Sequence, residues 1–303
     1  GYDRETGAAT EAQLEEAAAV ARRCDAAVVF VGLPDASESE GADRSHMGLP
    51  EGHDSLVERV CAANPNTVVV LQGGSPVELP WRDRPNAILL SYSAGCCGGK
   101  ATADVLLGRA NPSGKLAETW PVCLVDTPCA DFFPATGRQA HYRESVFSGY
   151  RYYDAAGVEV AYPFGHGLSY TRFSYESLHI EAVDDGFAVS CTVRNVGDRF
   201  GREAVQLYVA PLDDAGIRPV QQLKAFAKVA LEPGEERRVE LALPRRAFAH
   251  YDPETSSWEV FEGAYDVRVS ASSQDVRLRV TLDVAGVPRA GQAVPQAYRA
   301  VHA

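Results

Sequence analysis

Three short apolar runs, "AAVVFVG", "TVVVLQGG" and "NAILLSYSAG", follow one another in the first part of the chain with helical patterns between them. A strand without a polar face has nothing to offer water on either side. Such runs alternating with helices therefore predict a mostly parallel sheet sandwiched by helices, a partial α/β-sandwich. The segment "TEAQLEEAAAVARRC" puts Leu14, Ala17, Ala18, Val20 and Ala21 on one side of a helix, with Thr10 as N-cap and acids in the first turn. "SLVERVCAAN" sets Leu56, Val57, Val60 and Cys61 at helical spacing and stops at "NPN", while "CCGGKATADVLLG" opens a further helix that ends at Gly108.

The period changes after "YPFGHGLSYTRF". Phe187, Val189, Cys191 and Val193 alternate with polar residues, as do Val205, Leu207 and Val209, then Val239, Leu241 and Leu243. Tyr265, Val267 and Val269 continue the series, followed by Val276, Leu278, Val280 and Leu282, and the turns "NVGD", "EPGEE", "DPETSS" and "FEGA" separate the runs. About seven short antiparallel strands of this kind predict an all-β immunoglobulin/fibronectin III-like sandwich. The domain reading is therefore 1–165 for the α/β part, 166–285 for the sandwich and 286–303 for a tail. Within the first, residues 109–165 form a long connection rich in aromatics and proline, of the kind that lines a site or packs two domains.

At 303 residues the chain is long enough for two domains with their own cores. A net charge of -12 argues against nucleic acid or an anionic membrane as partner. No apolar run reaches the roughly 18 residues of a bilayer span, and no secretory signal is read. The seven cysteines show no CxxC and no zinc spacing, which suits reduced thiols and a cytoplasmic location. The chain starts at Gly1, and its single methionine is Met47, so a piece of a longer translation product is expected.

The chemistry is sought at strand C-termini, where functional loops of parallel sheets gather. There lies "SESEGADR", Ser37 to Arg44, with three carboxylates and an arginine behind the first apolar strand. A glutamate beside Gly41 can be aimed into a cleft and tuned by its neighbours, and Asp43 with Arg44 would make an ion pair fixing the turn. Read from the residues alone, a solvated acidic loop stays the favoured alternative. The run Gly73-Gly74-Ser75-Pro76 lacks phosphate-loop spacing and reads as a strand-ending turn. His46, His53, His141 and His166 share no metal or triad spacing. Tyr150, Tyr152 and Tyr153 suit either sugar stacking or, more often, interface packing.

The ordered blocks "SESEGADRSHMGLP", "NPNTVVVLQGGSPVELPW", "SAGCCGGKATADVLLGRANPSGKLAETWP", "YRESVFSGYRYYD" and "YPFGHGLSYTRFSY" closely resemble family 3 glycoside hydrolases, the β-glucosidase group. "VRNVGDRFGREAVQLYV", "QQLKAFAKVALEPGE" and "GAYDVRVSASS" resemble that family's fibronectin type III-like domain. The resemblance implies a retaining, exo-acting hydrolase whose nucleophile aspartate lies on a TIM-barrel domain and whose acid/base glutamate comes from the α/β-sandwich. An "EGYDR"-type loop matches Glu40 as acid/base, an "ETKGDN"-like loop matches Glu38 as second choice, and Asp43 and Arg44 match loop-shaping positions. Burial in the complete site is expected to keep the acid protonated. The implied partners are an oligosaccharide or β-glycoside substrate and the barrel domain of the same enzyme, with no cofactor and no metal.

The chain departs from the family pattern at several points. It contains no barrel and no "SDW"-type nucleophile loop, and the first strands of the α/β domain are missing. Some members insert a PA14 module at that point. It also carries "AGCCGG" where relatives have a "GGQAGG"-like turn. By itself the chain is expected to be inactive. The competing expectations are a non-catalytic carbohydrate-binding or assembly module and a degenerate product with an exposed sheet edge. Glucose, xylose, N-acetylglucosamine and arabinose specificities share these blocks.

Overall fold

The computed structural model describes residues 1–35, 37–41, 43–135, 137–213, 217–253 and 255–287. The expected tail lies outside them from residue 288 onward. The chain divides into two compact units, one of residues 1–110 with 121–127, the other of 111–120 with the residues from 128 onward.

The first unit runs α1 (Glu11–Ala21), β1 (Ala27–Gly32), α2 (Glu51–Ala63), β2 (Thr67–Gln72), β3 (Ala87–Leu90) and α3 (Gly98–Leu106). Thr10 and Gln13 close a reciprocal capping box at the start of α1. At its other end the buried Asn64 donates to the carbonyls of Ala21 and Cys24 at 2.9 and 2.8 Å, satisfying acceptors that a helix end leaves open. The three strands are parallel in the order β1-β2-β3, with Val29 opposite Val69 and Val70 opposite Leu89. The apolar runs are thus the expected parallel sheet, and α2 packs on β1 and β2.

Cover differs between strands. Val69, Val70 and Leu71 of the central strand are all buried, whereas on β1 only Val29 and Val31 are. Val28 and Phe30, on the opposite pleat, are 46% and 49% exposed, so the face of the edge strand that carries them is open among the described residues. In α1 the buried line is Leu14, Ala18 and Ala21. Val20, placed on that side from sequence, is exposed because two residues beyond Ala18 is more than half a turn around the helix.

The long connection carries β4 (Trp120–Pro121), α4 (Tyr150–Ala156) and β5 (Val160–Tyr162). From Phe173 onward the second unit is built of strands: β6 (Phe173–Val183), β7 (Gly186–Asn195), β8 (Gly201–Pro211), β9 (Gln222–Leu231), β10 (Glu236–Pro244), β11 (His250–Asp252), β12 (Ser257–Glu259), β13 (Gly263–Ser272) and β14 (Asp275–Val284), with one 3-10 turn at Arg245–Phe248. A three-stranded sheet β10-β7-β6 and a four-stranded sheet β14-β13-β8-β9, both antiparallel, make the sandwich. Its core gathers the alternating sets, among them Val189, Val193, Leu207, Leu243, Tyr265 and Val267.

β6 and β9 are not among the strands read from the sequence, yet both turn alternate residues to the core: Ala225, Ala227, Val229 and Leu231 on β9, and Phe173, Tyr175, Leu178 and Ile180 on β6, whose register shifts between Glu176 and His179. On β14 Leu278, Leu282 and Val284 pack into or against the core, while Val276 and Val280 are exposed.

Candidate active site

All three parallel strands end at one edge of the sheet. From it emerge the acidic loop after Gly32, the Gly73–Pro76 turn after β2 and the Ser91–Cys97 segment after β3. The ladder runs slightly past the strands, with Leu33 N–H donating to Gln72 O and Ser91 N–H to Leu71 O, both at 2.9 Å. The first residues of each loop therefore leave the sheet in register.

The acidic loop is tied at two points to the β2 turn. Both carboxylate oxygens of Glu38 accept from Gly74 N–H at 2.9 Å, and Oε1 also accepts from Ser75 Oγ at 3.1 Å. From the other end of the loop, Arg44 Nη2 donates to Ser75 Oγ at 2.8 Å and to Pro76 O at 3.2 Å. One hydroxyl thus gives its proton to Glu38 and takes one from Arg44, which uses both sides of its hydrogen-bonding capacity. A side chain at residue 74 would intrude here, since a Cβ on Gly74 would stand 3.2 Å from Glu38 Oε1 and 3.7 Å from Ser93 Oγ. Behind the loop, Met47 and Leu49 are buried and Met47 O accepts from Glu78 N–H at 2.9 Å, which fixes the return path into α2.

Between these ties stands Glu40, next to Gly41 with φ +80 in open space. Glu40 and Asp43 are exposed, and neither has a hydrogen-bond or ion-pair partner among the described residues. The expected Asp43–Arg44 ion pair is not formed. The Arg44 guanidinium is drawn to the Ser75 hydroxyl and the Pro76 carbonyl instead, and its Nη1 is buried without a partner among the described residues. Glu40 is exposed among the described residues of this chain.

The turn read from sequence as a mere strand end thus holds the acidic loop in shape. Its signal was the pair of small residues followed by a hydroxyl, "GGSP", directly behind an apolar strand. Other titratable groups here are structural. Burial pushes the Asp54 carboxyl up, and its Oδ1 accepts from the fully buried Trp81 indole at 2.7 Å. His53 is buried, and that burial pushes its imidazole down. Among the described residues no three His, Cys, Asp or Glu side chains are placed to hold a metal ion. In the second unit Tyr150 stacks on Phe164 at 4.7 Å and its hydroxyl accepts from Leu223 N–H at 2.9 Å, so it packs within its own unit.

Residues 4–170 match the Glycosyl hydrolase family 3 C-terminal domain, and residues 203–273 a Fibronectin type III-like domain. The chain is 45% identical over 288 residues to thermostable beta-glucosidase B of Acetivibrio thermocellus, a match that covers 94% of the chain and 38% of that protein. An exo-alpha-(1->6)-L-arabinopyranosidase of Bifidobacterium breve is 40% identical, with 94% and 38% covered. Among solved structures, the beta-glucosidase of Kluyveromyces marxianus in complex with glucose superposes with a TM-score of 0.88 at 40% identity, over 92% of this chain and 34% of that one. A family 3 beta-glucosidase of Bifidobacterium adolescentis gives 0.91 at 36% identity, over 99% and 46%. The chain thus spans less than half the length of each of these proteins.

Proposed function

Because the chain belongs to glycosyl hydrolase family 3, we propose that it supplies the acid/base carboxyl, Glu40, of a retaining exo-acting β-glycosidase that acts on terminal non-reducing sugars. The nucleophile is then an aspartate on a barrel domain outside this chain. The observation that carries the choice of residue is the division of labour in the acidic loop. Glu38 has both oxygens committed to Gly74 and Ser75, while Glu40 has its carboxyl free at the apex.

In this reading Glu40 donates its proton to the departing glycosidic oxygen as the nucleophile attacks the anomeric carbon from the other face. It then takes a proton from the water that hydrolyses the glycosyl-enzyme. The two carboxyls must stand about 5–5.5 Å apart for that geometry. Glu38, Ser75 and Arg44 react with nothing. They keep the apex at one height above the sheet edge, and a carboxyl in proton transfer needs that constancy. Arg44 Nη1 is buried with no partner among the described residues, so the guanidinium is held by its Nη2 bonds alone.

The isolated chain is expected to turn over no aryl β-glucoside, and addition of the barrel domain in trans to restore turnover. Activity of the chain alone would mean that the nucleophile lies within it and would overturn the reading.

A further inference from the structure

Of the seven cysteines, Cys24, Cys96 and Cys97 are exposed. Cys61, Cys123 and Cys129 are partly buried and Cys191 is buried. Cys191 sits in the sandwich core, where burial pushes its thiol up to about 11. Burial also raises Cys61, and the Asp126 carboxylate beside Cys123 raises that thiol. Cys96 and Cys97 stand apart because their Sγ atoms approach to 3.9 Å while both remain open to solvent.

Their surroundings combine freedom and restraint. Gly95, at φ +64, and Gly99 have open space where a side chain would project, so no side chain of either crowds the two sulfurs. Below them the segment is anchored. Gly98 N–H donates to Gly95 O at 3.1 Å, Ala101 N–H to Cys97 O at 3.0 Å, and a Cβ on Gly98 would collide with Ala94 at 2.6 Å. The same segment carries Ser93, which flanks Gly74 across from Glu38.

We propose that Cys96 and Cys97 are a vicinal dithiol modified by peroxides, closing reversibly to an intrachain disulfide that shifts the Ser93 side of the Glu38 cradle. One thiolate attacks a peroxide oxygen, the O–O bond breaks, and the sulfur leaves as a sulfenic acid while the other oxygen departs as water after protonation. The second thiolate then attacks that sulfur, the S–S bond forms, the S–O bond breaks and a second water leaves. Two thiols give up two protons and two electrons, and one hydrogen peroxide becomes two waters. The sulfurs must close from 3.9 Å to about 2.05 Å across Cα atoms that the peptide between them holds about 3.8 Å apart, tighter than the usual disulfide span, so the closed ring is strained and readily reduced.

The test uses the 303-residue chain, hydrogen peroxide as oxidant and dithiothreitol as reductant. Peptide mass spectrometry should show loss of two hydrogens confined to the peptide containing Cys96 and Cys97, reversed by dithiothreitol, abolished in Cys96→Ser and retained in Cys24→Ser. Oxidation spread over other cysteines, a link between chains, or sulfinic acid without a disulfide would overturn the proposal. Hydrogen exchange at the Gly74 amide should become several-fold faster in the oxidised chain and return on reduction. Unchanged exchange in the presence of the disulfide would overturn the coupling to the cradle. Neither readout needs glycosidase activity, so failure here is distinct from failure of the proposed reaction.

Discussion

Leu207, Leu243 and Val267 in the sandwich are wholly buried and held by apolar contact, while the loop at residues 37–44 is exposed at its apex and held by polar bonds converging on one turn. The sandwich gains its stability from area removed from water and is indifferent to which small adjustments its loops make. The acidic loop buries little, so its shape rests on a few directional bonds to Gly74, Ser75 and Pro76. The contrast teaches where damage should appear: as lost stability in one region and as lost chemistry in the other.

The largest expected effect is on chemistry. In the complete enzyme Glu40→Gln should lower kcat by about 10²–10⁴-fold, most for poor leaving groups, with the thermal midpoint nearly unchanged. Steady-state rates on a series of aryl glycosides measure it. A drop in stability matching the drop in rate would erase the contrast.

Next comes the sandwich. Leu207→Ala should cost about 2–5 kcal/mol in denaturant unfolding because the cavity it leaves is fully enclosed. Activity per folded molecule should stay near that of the parent, and a proportionate loss of kcat/KM in the folded fraction would show that the two regions are not separable.

The cradle should give an intermediate response. Ser75→Ala removes the hydroxyl shared by Glu38 and Arg44, and roughly a tenfold fall in kcat is expected, since misplacing a reacting group is costly even when no reacting atom is lost. Thermal unfolding of the variant, run alongside, should move by no more than a few degrees.

The smallest effect concerns Lys224. Burial, with Arg151 and Arg246 repelling it, holds its ammonium down at about 8, against an ordinary value of 10.5. The folded chain then binds fewer protons than the unfolded chain between those two values, so stability rises with pH across that window and is lower below it. Lys224→Met should raise stability by about 1 kcal/mol at pH 7 and bring no gain above about pH 10.5. A variant whose advantage is the same at both pH values would contradict the assigned cause.

Much of this architecture is legible in the sequence because burial imposes a period. Val69, Val70 and Leu71 read as a central strand since every face of them is covered, and the Val189–Val193 and Val205–Val209 sets read as sandwich strands since their apolar residues alternate, although Gln206 and Tyr208 between the latter are buried as well. Legibility fails where cover fails. Val28 and Phe30 look as apolar as their neighbours yet stand open, and on β9 the small Ala225 and Ala227 face the core while Phe226 between them is exposed, which blurs the period. In the candidate site the residue types and their place behind β1 were readable. The distribution of roles was not, because nothing in "SESEGADR" tells that Ser75, far along the chain, would claim Arg44 and leave Asp43 unpaired. Hydrogen bonds of that kind have no period to announce them.

The most direct measurement is chemical rescue in the complete enzyme. When the acid/base carboxyl is deleted, azide can take the place of the activated water and attack the glycosyl-enzyme without base assistance. Glu40→Ala should regain turnover of an activated aryl β-glycoside on addition of azide and yield the β-glycosyl azide, whereas Glu38→Ala should show no azide dependence and yield only the free sugar. Glycosyl azide from the Glu38 variant, with none from the Glu40 variant, would assign the chemistry to the tethered glutamate and contradict the division of labour in the loop.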